Sequence, residues 1–185
     1  MSLEFDERFF TEEIRDEDFP HYLERAKWID NYIEPDSIVY ILGCGFGYLV
    51  KHLRDLGVNT FGVDIGDYAN QNKKSDYIFK ECVATINLTN ADYIFSWNML
   101  DCLDETIAPK IATNLNKHSV PQIHIVCCLE DVKSAQSFLE QGYFIKSIQY
   151  WQNLMPNAMF VEYNTEKVYG VDSLKIPLSA GKVSD

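Results

Sequence analysis

The chain has 185 residues, 46% of them hydrophobic and 24% charged, with a formal net charge of −12. That length suits one domain able to bury a core, and the acidic balance opposes a polyphosphate backbone, so nucleic acid is not an expected partner. No apolar run reaches membrane-spanning length and no basic, apolar leader opens the chain, so the expectation is a cytoplasmic protein that does not contact membranes. The five cysteines (Cys44, Cys82, Cys102, Cys127 and Cys128) are odd in number and form no Cys-x-x-Cys pair. They read as free thiols of a reducing compartment, and no metal site is expected from them or from the four histidines.

Residues 1–18 carry eight acids and two arginines and form an acidic N-terminal arm. The main domain spans residues 19–170, and residues 171–185 form a loose tail. Residues 19–33 predict a helix, with Pro20 in its first turn and Leu23, Ala26, Trp28, Ile29 and Ile33 along an apolar stripe. Residues 38–42 (IVYIL) are a short apolar run of the kind that forms a strand buried on both faces. Leu49, Val50, Leu53 and Leu56 then fall at helical spacing, with Gly57 past the end. Strands follow at 59–63, around Tyr77 to Val83, at 93–97 and at 123–128, with helices over 105–116 and 131–140. The last two apolar pieces, 143–150 and 158–168, are joined by a loop too short for a crossover helix and predict an antiparallel β-hairpin. Strand and helix alternating in this way give a three-layer α/β sandwich with a mostly parallel seven-stranded sheet that ends in that hairpin.

Ligands of such sheets bind beyond the carboxyl ends of the strands. The first strand ends in Gly43-Cys44-Gly45-Phe46-Gly47, which opens a helix: side chains are absent there, and free N–H groups favour a negative or polar ligand. The second strand ends at Asp64, whose carboxylate can accept hydrogen bonds from both hydroxyls of a ribose. The G-x-G-x-G order, with Tyr48 where a dinucleotide fold prefers a small residue, resembles the first motif of class I S-adenosylmethionine (SAM) dependent methyltransferases. FGVDIG (61–66) resembles that superfamily's second motif and ADYIFSWNMLDCLDE (91–105) its strand-four motif, so the resemblance covers residues 20–168.

This resemblance implies a Rossmann-like fold, SAM as cofactor, and methyl transfer to a small-molecule acceptor. It carries over to Gly43, Cys44, Gly45 and Gly47 in the loop, Asp64 and Ile65 after strand two, and Trp97 and Asn98 after strand four. Phe5, Phe9, Phe10 and Tyr22 are available to cover such a site. The sequence departs from the pattern at three places. Ile41 stands where the superfamily usually has an acid, Cys102 stands where many relatives have a histidine, and no acid for the adenine amine follows strand three. Asp101, Asp104 and His124 are weighed as proton acceptors, each with a bland structural alternative, and none is assigned. Two other functions stay open: a methyltransferase-like SAM-binding protein with a degenerate site, and a dinucleotide-dependent oxidoreductase.

Overall fold

In the computed structural model the apolar run IVYIL is β1 (Ile38–Leu42), with β2 (Asn59–Asp64) on one side and β4 (Tyr93–Trp97) on the other. The structure describes residues 19–127, 136, 139–140, 142–163 and 174–175. The remaining elements are α1 (Phe19–Tyr32), α2 (Tyr48–Asp55), α3 (Asp67–Gln71), β3 (Ile78–Lys80), α4 (Ala108–Leu115), β5 (Gln122–Val126), α5 (Ile148–Leu154), β6 (Met159–Tyr163) and β7 (Leu174–Lys175). The acidic arm, the helix expected over 131–140 and the tail lie wholly or mostly outside the described residues.

Strands β1 to β6 run parallel in the order β3-β2-β1-β4-β5-β6, and the two-residue β7 pairs antiparallel with β6 at the edge. Alternation along β1 sends Val39 and Ile41 to one face and Leu42 to the other, which is why the run has no polar period. On the first face they meet Ala26 and Ile29 of α1 and Leu49, Val50 and Leu53 of α2. On the second, Leu42, Val63 and Ile94 meet Ile111 and Leu115 of α4 and Trp151 of α5. These are the three layers of an α/β sandwich.

The link between β3 and β4, residues 81–92, contains turns but no helix. Val83 and Leu88 plug the second core, and Asn114 Nδ2 on α4 donates to the carbonyls of Val83 and Ile86, both at 2.9 Å. Beyond them, Tyr40, Phe61 and Phe79 stack across β1, β2 and β3, and Phe79 is 43% exposed.

The expected hairpin of 143–150 with 158–168 is not formed. Ile148–Leu154 is a helix, and β6 lies parallel to β5. The run SIQYWQNLM satisfies a helical rule that outweighs its aromatic and β-branched content. Ser147 accepts from the Tyr150 N–H (3.2 Å) as an N-cap, while Ile148, Trp151 and Met155 recur on one face and bury Trp151 completely. The segment is itself the crossover that a parallel neighbour requires. Ser147→Ala is therefore expected to lower unfolding free energy by about 1 kcal/mol in urea denaturation, an effect that a solvent-facing serine in a hairpin would not show.

Candidate functional site

Strand order reverses between β1 and β4, and the predicted site residues gather at the carboxyl ends of β1, β2 and β4 beside that point. The loop Gly43–Gly47 is tied down by its own backbone. The N–H groups of Gly43 and Cys44 donate to the Val63 carbonyl (2.8 and 3.2 Å), and that of Gly47 donates to Cys44 (2.9 Å). Gly45 N–H donates to Asp64 Oδ2 and Gly66 N–H to Asp64 Oδ1, both at 2.8 Å. Burial pushes the Asp64 carboxyl above its usual range, and these two amide donors pull it back. Each oxygen of an ionised carboxylate has two acceptor positions, so Asp64 keeps one free on each. Ile65, next in the chain, is 56% exposed. The Cys44 thiol packs towards Gly62, and burial, then the nearby Asp64, raises it well above its ordinary value, so it is no nucleophile.

Two of the bare glycines serve the chain itself. All three have positive φ (63°, 54° and 79°). A Cβ on Gly43 would lie 2.2 Å from Met99 Cγ, and one on Gly47 would lie 2.0 Å from Ile78 Cδ1. Met99 follows β4 and Ile78 lies on β3, so the loop is bare where two neighbouring elements press on it. Ile41, in the place of the superfamily's acid, is 2% exposed and packed in the α1–α2 core.

The end of β4 is polar and incompletely satisfied. Trp97 Nε1 and Asn98 Oδ1 are buried without a hydrogen-bond partner among the described residues. Asn98 holds a left-handed backbone (φ 56°), a strained conformation for a residue with a side chain, while Cys102 Sγ donates to its carbonyl (3.2 Å). Over Trp97 stacks the Arg25 guanidinium of α1, 4.3 Å from the ring, and Arg25 is only 6% exposed. The sequence carried a signal for Arg25 that went unread: positions 22, 25, 26 and 29 share one helix face, so this arginine interrupts the core stripe.

The three weighed proton acceptors have structural duties. Asp101 is 2% exposed, and its Oδ2 accepts from the Cys127 N–H (3.0 Å) while its carbonyl accepts from Phe144 (2.7 Å). Burial pushes its carboxyl up to about 8. Asp104 binds the Thr106 hydroxyl (2.6 Å) and the N–H groups of Thr106 and Ile107, which hold it below the usual range at the entrance to α4. His124 is fully buried between Ser96, whose Oγ lies 2.8 Å from Nδ1, and the Phe160 ring; burial lowers it to about 3, so it is neutral.

No protein-family model matches this chain. Among solved structures, a putative methyltransferase in complex with the Haloferax volcanii Trm112 methyltransferase activator is 17% identical. It superposes with a TM-score of 0.61 over 85% of this chain and 76% of its own. A SAM-dependent methyltransferase of Thermotoga maritima, described as a possible histamine N-methyltransferase, is 16% identical, with a TM-score of 0.59 over 82% and 78%. This is the fold of the SAM-dependent methyltransferases. A glycopeptide N-methyltransferase is 14% identical with a TM-score of 0.45 over 52% of this chain, which spans about half of that protein (49%). Within the methyltransferase fold, Gly43, Cys44, Gly45, Gly47, Asp64, Ile65, Trp97 and Asn98 all stand at the carboxyl edge of the sheet. Among the described residues no cluster of acids, histidines and cysteines could hold a metal, and no helix is long and apolar enough to cross a membrane.

Ile41→Asp places an unpaired carboxyl in the core and is expected to cost several kcal/mol of stability, read by urea denaturation at neutral pH. Asp101 sets a pH dependence. Folded, it holds its proton up to about pH 8, whereas unfolded it ionises near 3.9. The native state therefore binds the extra proton, and stability falls as pH rises through that interval. His124 acts oppositely, but only below about 6.5. Between pH 6.5 and 8, unfolding free energy is expected to fall by roughly 1 kcal/mol per pH unit, and Asp101→Asn to flatten that slope in thermal melts across the range.

Proposed function

We propose that this protein is a SAM-dependent methyltransferase acting on a small molecule. The observation that carries the reading is Asp64: a carboxylate at the end of β2, aimed by two amide donors beside the glycine loop, with an acceptor position left on each oxygen. A nucleoside ribose presents two adjacent hydroxyls that match it. The exposed Ile65 offers an apolar surface beside that carboxylate for a base, and the unsatisfied Trp97 Nε1 and Asn98 Oδ1 offer a donor and an acceptor for the rest of the ligand.

SAM supplies a methyl group on a positively charged sulfur, already activated for in-line displacement. The chain's own contribution is then alignment and exclusion of water. Gly45 and Asp64 hold the nucleoside end, and the β4 terminus with its strained Asn98 holds the other. None of the three proton acceptors weighed is poised as a general base: Asp101 is a buried neutral acid at neutral pH, Asp104 is engaged in a turn and His124 is sealed in the core. That favours an acceptor whose lone pair is already free at neutral pH, such as an aromatic amine, over one that must first lose a proton. A degenerate, binding-only site is the second reading, favoured by Met99 against Gly43 and by the apolar Ile41. A dinucleotide-dependent oxidoreductase ranks third, because Tyr48 takes the place of the small residue that such a fold prefers.

Calorimetric titration with SAM, S-adenosylhomocysteine and NAD tests the reading. Binding of the first two in the micromolar range, about −7 to −8 kcal/mol, is expected, with no heat from NAD. Asp64→Asn is expected to weaken binding by roughly 1.5–3 kcal/mol and also to lower the melting temperature, because it removes an acceptor from one loop amide. Heat from NAD, or none from either SAM species, overturns the proposal. Binding without S-adenosylhomocysteine formation across a panel of amine acceptors moves the assignment to the degenerate site.

A further inference from the structure

We propose that the aromatic sheet face formed by β1, β2 and β3 docks an amphipathic helix of a partner protein, apolar on one side and rich in lysine and arginine along its flanks. The surface lies apart from the glycine loop, and the proposal stands independently of the proposed function. Parallel sheets are normally covered by helices on both faces, because each crossover brings one. On one face of this sheet α1 and α2 supply that cover; on the other, α4 and α5 join Ile94, Val126 and Phe160 of β4, β5 and β6 in a core. The crossover from β3 to β4 brings no helix. Its residues 81–92 are turns, drawn towards α4 by the two bonds from Asn114.

The face left beyond that link is aromatic. Phe61 lies 5.4 Å from Tyr40, 5.8 Å from Phe79 and 6.1 Å from Tyr77, measured between ring centres. Tyr77 is 45% and Phe79 43% exposed, while Tyr40 and Phe61 are half-buried. Single exposed rings are ordinary, whereas contiguous rings on one sheet face mark an interaction surface. The surface is also held in place: the Arg54 guanidinium stacks 3.6 Å from the centre of the Tyr77 ring, and its Nε donates to the Thr60 carbonyl (2.7 Å). Three adjacent strands span about 10 Å, close to the width of one α-helix with its side chains, about 10–12 Å.

Charge selects the occupant. Asp36 before β1, Asp76 before Tyr77, Glu81 after Lys80 and Asp92 before β4 are all exposed, and none forms an ion pair among the described residues. The cations nearby are engaged: Arg54 by the rings, Lys80 by Asp67 and Lys73 by the Ile78 carbonyl. The rim therefore presents negative charge that a basic flank complements. A second copy would bring the same acids and its own charge of −12, so like charges oppose self-docking.

A synthetic helix with a leucine stripe and lysine flanks is the probe, and a glutamate-flanked helix of the same apolar pattern is its control. Fluorescence anisotropy of the labelled peptides against the full chain is expected to give micromolar-range affinity for the lysine helix, weakening as salt rises, and at least about tenfold less for the glutamate helix. Phe79→Ser is expected to lose on the order of tenfold for the lysine helix. Ile107→Ser, which removes an apolar side chain of similar exposure (40%) at the entrance to α4, is expected to lose less than about twofold. The double variant Asp76→Asn/Glu81→Gln keeps every ring and is expected to lose about threefold; it carries the test should thermal melting show that Phe79→Ser does not fold. No binding of either peptide, equal affinity for both, or equal losses for Phe79→Ser and Ile107→Ser overturns the proposal. A dimer in sedimentation velocity that Phe79→Ser dissociates also overturns it, because the occupant is then a second copy. So does tighter binding of an alternating lysine–valine peptide, which places the contact on the β3 edge instead of the sheet face.

Discussion

A single carboxylate holds the working edge of this molecule together. Asp64 accepts one amide from the loop after β1 and one from the turn after β2, and so locks the ends of two neighbouring strands to each other. Other contacts depend on that lock. Asn70 of α3 donates to the carbonyls of Asp64 and Gly66 (3.0 and 2.8 Å), and the Val63 carbonyl receives two amides of the glycine loop. The residue that would recognise a ribose is thus also the one that shapes the loop above it. Affinity and local order are coupled through the same two oxygens.

Three aspartates show how environment assigns roles to one side chain. Asp64 is held by amides and half-shielded; Asp101 is sealed in and keeps its proton; Asp104 lies in the open, wrapped by the hydroxyl and amide of Thr106 and the amide of Ile107. Sequence position placed all three near strand ends, where acids are common for several reasons. Only their surroundings separate an amide-held carboxylate at the sheet edge, a buried strut and a turn former.

Much of the fold was legible because its signals are local. The runs IVYIL and YIFSW match β1 and β4 residue for residue, since a strand buried on both faces needs an unbroken apolar stretch of about that length. The glycine order and Asp64 were legible for the same reason: the turn and the strand end are short-range constraints. The failure at 143–150 came from giving composition more weight than spacing, when the Ser147 cap and the interval from Ile148 to Trp151 to Met155 already described a helix. Arg25 over Trp97, Met99 against Gly43 and Ile78 against Gly47 join elements far apart in sequence. Each is a meeting of two surfaces, and no single stretch of chain encodes it. Ile41 shows the limit of motif transfer, because the same register position can face a ligand or a core according to what packs against it.

The link between β3 and β4 that forms no helix leaves Tyr40, Phe61 and Phe79 as a ring-covered patch beside an edge strand. Such a combination is a template for pairing with another chain. Here it is only three residues long and ends in Lys80, which is ion-paired with Asp67. The longer-range guard is electrostatic: copies each carrying −12 repel one another. That guard is strongest in dilute buffer and shrinks with the Debye length, about 8 Å at physiological salt. The colloidal behaviour of this protein is therefore set by its solvent ions, with the brevity of β3 as the backstop once the charge is screened.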